Sequence, residues 1–86
     1  MKRALRTKIT TGDHSIVDRG TLPVISTQAA QYILIVGKMT DLAIEDGCVT
    51  GTLSFTGDYA DASLALYETA ERCELSLGSC GICITY

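Results

Sequence analysis

The chain has no asparagine and no tryptophan, one proline, one phenylalanine and one histidine among its 86 residues. Without asparagine there is no N-glycosylation acceptor, and without tryptophan the commonest anchor of protein interfaces is missing. No apolar run is longer than the five residues Tyr32 to Val36, far short of the roughly 20 that span a bilayer. The basic start Met1-Lys2-Arg3 is not followed by the apolar core of a secretion signal. These absences read as a soluble, intracellular, cytoplasmic protein with no membrane partner. Length sets a further limit, because a chain this short has apolar residues for one core and therefore for a single small domain over 1–86.

Charge is scarce and unevenly placed. Charged residues are 20% of the chain, against roughly 25% in average soluble proteins, and the net charge is −3. Residues 1–8 hold Lys2, Arg3, Arg6 and Lys8 with no acid, so the remainder carries −7. Between Met39 and Glu74 eight acids (Asp41, Glu45, Asp46, Asp58, Asp61, Glu68, Glu71, Glu74) face one base, Arg72. Affinity for nucleic acid grows with the number of cations that displace phosphate counterions, which argues against direct nucleic-acid binding by this half. An acidic surface suits a partner with a basic one.

Catalytic and metal constellations are also missing. The eight glycines match neither the phosphate-cradling nor the dinucleotide fingerprint. Asp13-His14-Ser15 has the residue types of a hydrolytic triad, but adjacent residues in extended chain diverge, so the segment reads as a turn aspartate beside a surface histidine. Four cysteines (Cys48, Cys73, Cys80, Cys83) include one close pair, Cys80-Gly81-Ile82-Cys83. Zinc usually takes two such pairs, and the second is absent. If the pair lies in a strand its thiols point to opposite faces, so the cysteines read as core thiols and no metal or cofactor is expected.

What is present is periodicity. In residues 3–10, Leu5, Thr7 and Ile9 alternate with Arg6 and Lys8, the pattern of a half-buried strand. Thr11-Gly12-Asp13 reads as a turn and Ser15-Ile16-Val17 as a short return strand, while Pro23 marks 21–25 as irregular and at a sheet edge. Ser26 to Met39 is ambiguous between helix and strand, with a buried strand favoured at 31–36. Asp46-Gly47 is a strong hairpin signal, and a two-residue loop there pairs Glu45 with Cys48, Ile44 with Val49 and Leu42 with Gly51. Leu42, Ile44, Val49, Leu53 and Phe55 then share one face of a hairpin over 40–56. Tyr59, Ala62, Leu66, Ala70 and Cys73 recur at helical spacing, which predicts an amphipathic helix over 59–73 with Asp61, Glu68 and Glu71 on another face. Gly78-Ser79 suits a turn that pairs Leu77 with Cys80 and Leu75 with Ile82 in a hairpin over 74–86.

The expected fold is α+β, a small antiparallel sheet packed on one face by the helix, with all-β as the alternative. The expected function is that of a non-enzymatic protein–protein interaction module, an accessory subunit or an inhibitor of a larger complex. Its apolar surface is hidden in a homodimer or offered to a partner, with Asp61, Glu68 and Glu71 as contact residues. Two alternatives are a phage-type nucleic-acid mimic acting on a DNA- or RNA-handling complex and a cysteine-based metal or thiol module.

Overall fold

The computed structural model describes residues 4–26, 34–78 and 81–85. Six strands form one sheet: β1 (Ala4–Ile9), β2 (Leu22–Ser26), β3 (Leu34–Glu45), β4 (Cys48–Phe55), β5 (Glu74–Leu77) and β6 (Ile82–Thr85), in the spatial order β1-β4-β3-β2-β6-β5. All neighbours are antiparallel except β2 and β6. A single parallel bridge, Thr10 to Ser76, brings the two outer strands together, so the sheet curls into a nearly closed barrel.

This corrects the α+β expectation. Closing a sheet buries its inner face against itself, and alternation along each strand supplies the filling. Ile9, Val24, Val36, Met39, Val49, Leu53, Phe55, Leu75, Ile82 and Ile84 form one core. The helix is thus not needed to cover a face. The 3₁₀ helix His14–Arg19, which follows β1, adds the fully buried Ile16 to that core. Helix α1 (Ala60–Thr69) follows β4 and sets the Tyr67 ring edge-on to Phe55, centroids 5.8 Å apart.

The hairpin at Asp46-Gly47 has the expected register at its tip, with Glu45 opposite Cys48 and Ile44 opposite Val49. Both turn residues have positive φ, as the tight hairpin turn requires. Further along, the register slips by one between Thr40 and Ala43, so Asp41 and Leu42 together face Gly51. Asp41 takes up the bulge with φ 51°.

Other segments depart from expectation. Residues 15–17 are helical and not a return strand, because the Asp13 carboxylate accepts from the Ser15 backbone N–H and caps a 3₁₀ helix. Residues 22–26 are an interior strand, and Pro23 fits because the β6 ladder starts one residue later, at Val24 and Ile82. The strand expected at 31–36 begins at Leu34 in the described residues, and 31–33 lie outside them. In the last hairpin Leu77 pairs with Ile82 and Leu75 with Ile84, two residues beyond the expected register. Gly78 donates its N–H to the Gly81 carbonyl at 2.8 Å, which makes those two glycines the flanking pair. Ser79 and Cys80, on which the expected turn and cysteine pair depend, lie outside the described residues.

Candidate functional site

Helix α1 is shorter than 59–73 and turned from the expected face. Its buried residues are Ala60 and Ser63, with Leu64 and Tyr67 partly buried against the core. Tyr59, Ala62 and Leu66, read from the sequence as the core stripe, are exposed, Tyr59 by 52% and Leu66 by 41%. Two stripes compete on this helix, and Leu64 with Tyr67 carries as much apolar bulk as Tyr59 with Leu66. Periodicity alone does not choose between them. The choice comes from Phe55 at the end of β4, which gives the Tyr67 ring an aromatic partner.

Of the three expected contact residues, Asp61 and Glu68 are exposed on α1 and are seven positions apart, which puts them on one side of the helix. Asp61 stands in the first turn, where an acid suits the helix dipole. Glu71 is also exposed but lies past the helix end at Thr69, where it lines a groove instead. The outward side of α1 therefore has three parts: a ridge of small exposed residues (Ala62, Ala65, Thr69), Tyr59 and Leu66 along one flank, and Asp61 and Glu68 along the other.

That groove, about 680 Å³, runs between β1 and β5. Its lining holds Lys8 and Arg72 with Glu71 and Glu74, so its charge is balanced. No signal in the sequence announces it, because β1 and β5 meet only through the order of strands in the sheet.

A polar cluster lies on the outer face of the sheet where β1 crosses toward the bulge in β3. The Arg6 guanidinium donates to the Asp41 carbonyl at 2.6 Å, the Glu45 carboxylate at 2.8 Å and the Thr50 hydroxyl at 2.9 Å. The guanidinium first, and then the Thr50 hydroxyl, hold the Glu45 carboxyl below the usual carboxylate range. Asp13 is also held low, by bonds from the Ser15 hydroxyl and backbone N–H. That carboxylate serves as a helix cap, with His14 exposed beside it.

Cys48, Cys73 and Cys83 are free thiols, each partly buried, and burial pushes the Cys73 thiol up. Among the described residues no three metal-capable side chains gather in one place. Nor is any helix among them long and apolar enough to cross a membrane. Comparison with known proteins finds no match: no family model, no curated protein and no solved structure. The chain's described residues form a nearly closed six-stranded barrel with one short α-helix.

Proposed function

We propose that this chain is a small, non-enzymatic protein-binding module that offers the outward side of α1 to a partner with a basic surface, as an accessory subunit or an inhibitor of a larger complex. One observation carries the reading. Tyr59 and Leu66 are exposed on a helix whose other side, through Ala60, Ser63 and Tyr67, already packs on the barrel. Single exposed apolar residues are ordinary. Here two share one flank, small residues form the ridge, and acids occupy the far flank, which is the layout of a helix that lies in a groove with one apolar and one basic wall. Opposite potentials would then speed encounter and fix orientation more than they add affinity.

The arrangement of the acids favours this over nucleic-acid mimicry. Glu45 and Asp46 sit at the tip of the β3–β4 hairpin, while Asp58, Asp61 and Glu68 belong to the α1 end. The length of β4, about 25 Å for eight residues at about 3.3 Å each, separates the two groups. Glu45 is also engaged by Arg6. An antiparallel homodimer through α1 would set Asp61 and Glu68 against their own copies, and a different, basic protein complements these acids better.

The test is capture from the native cell by wild-type chain and by the variants Leu66→Ala and Asp61→Lys/Glu68→Lys, with thermal melts in parallel. A protein held by the wild type and lost by both folded variants supports the reading. One held equally by all three shows that the interface lies elsewhere.

A further inference from the structure

A barrel normally removes the edges of its sheet, and this one leaves a seam. β1 and β5 run parallel and are joined at one place, where the Thr10 N–H donates to the Leu75 carbonyl at 2.7 Å. The next pair, Lys8 with Glu74, forms no bridge among the described residues, and beside it the groove opens between β1 and the residues that lead into β5.

Backbone alternation shows what the open edges present. The two-residue turn makes Glu45 and Cys48 a hydrogen-bonded pair, so the Val49 backbone turns to β1 and bonds Ile9. Thr7 and Ile9 therefore point their backbone groups at β4, while Lys8 and Thr10 point theirs at the seam, as the Thr10 bond confirms. On β5, Gly78 bonds across to Gly81, so Glu74 and Ser76 serve β6 while Leu75 faces the seam, where its carbonyl accepts from Thr10. The β1 wall thus offers backbone donors and acceptors at a two-residue spacing, at Arg6 and Lys8.

We propose that this seam takes up a short extended peptide segment of a partner protein as an added strand. A row of backbone N–H and C=O groups is matched best by another backbone in extended form. The side chains of the walls specify its pattern. Inward positions of the added strand would meet Thr7, Cys73 and Leu75 and call for small apolar residues. Outward positions would lie between Lys8 on one wall and Glu74 on the other and call for polar ones. The site is separate from the outward side of α1.

Lys8→Pro tests the assignment, because proline removes an N–H that faces the seam and none that serves β4. A phage-displayed library of random eight-residue peptides, selected on the full wild-type chain, supplies the probes. The expected result has four parts: enrichment of alternating apolar and polar peptides; at least tenfold weaker binding when their central backbone amides are N-methylated; the same loss on Lys8→Pro, whose melting temperature stays close to wild type while Thr7→Pro unfolds; and unchanged binding to Leu66→Asp. Four results would overturn the proposal: no enrichment over a blank surface, affinity indifferent to N-methylation, Lys8→Pro unfolding as Thr7→Pro does, or loss of peptide binding in Leu66→Asp. The last would move the peptides to α1.

Discussion

Arg6 and Glu45 belong to strands that are not neighbours, yet their side chains meet at 2.8 Å across the intervening β4. The same guanidinium holds the Asp41 carbonyl and the Thr50 hydroxyl, so one side chain ties β1 to β4 and to the bulge in β3. Because the folded pKa of Glu45 is depressed, its contribution to stability is fully present above the ordinary glutamate value of 4.5 and is lost as pH falls through the folded value. Glu45→Gln should therefore melt below wild type at pH 7 and together with it near pH 2. Added salt should narrow the gap at pH 7, since both groups are partly exposed. A gap that persists at pH 2 would assign the effect to something other than the ion pair.

The hairpin tip depends on backbone that a branched side chain resists. Gly47 has φ 77°, so Gly47→Val should cost about 1 kcal/mol or more through strain. An unchanged melting temperature in that variant would contradict the turn and with it the register of the hairpin tip.

Two other glycines separate close backbone approach from side-chain packing. A Cβ on Gly37 would run into the Ser54 carbonyl of the paired strand, which cannot yield without breaking the ladder. A Cβ on Gly51 would meet Met39 at 2.7 Å and Leu42 at 2.9 Å, both flexible side chains inside the barrel. Gly37→Ala should accordingly cost about 2–3 kcal/mol and Gly51→Ala about 1 kcal/mol, measured by denaturant unfolding. The reverse order would show that the β3–β4 contact at Gly37 is looser than the register implies.

How much of this was legible from sequence depended on the range of each interaction. Alternation exposed Leu5, Thr7 and Ile9 as one face of β1, and Asp46-Gly47 marked its turn, because both are local patterns. Pro23 misled, since its cost depends on where the neighbouring ladder begins and no local rule carries that information. Ile16 looked like a strand residue until the Asp13 cap fixed a helix around it. The outward turn of Leu66 was hidden because Ser63, a polar residue, occupies the buried side of α1. The seam at Lys8 and Glu74 was beyond reach, as it exists only through the pairing of residues some 65 positions apart.

The outward side of α1 is tested most directly by association kinetics with the captured partner over a range of salt, using wild type, Leu66→Ala and Asp61→Lys/Glu68→Lys. Leu66 is exposed, so Leu66→Ala should leave folding stability within about 0.5 kcal/mol while speeding dissociation. The charge reversals should slow association and flatten its dependence on salt. Rates and salt slopes identical in all three proteins, or a Leu66→Ala chain that loses its fold, would contradict a binding role for this side of the helix.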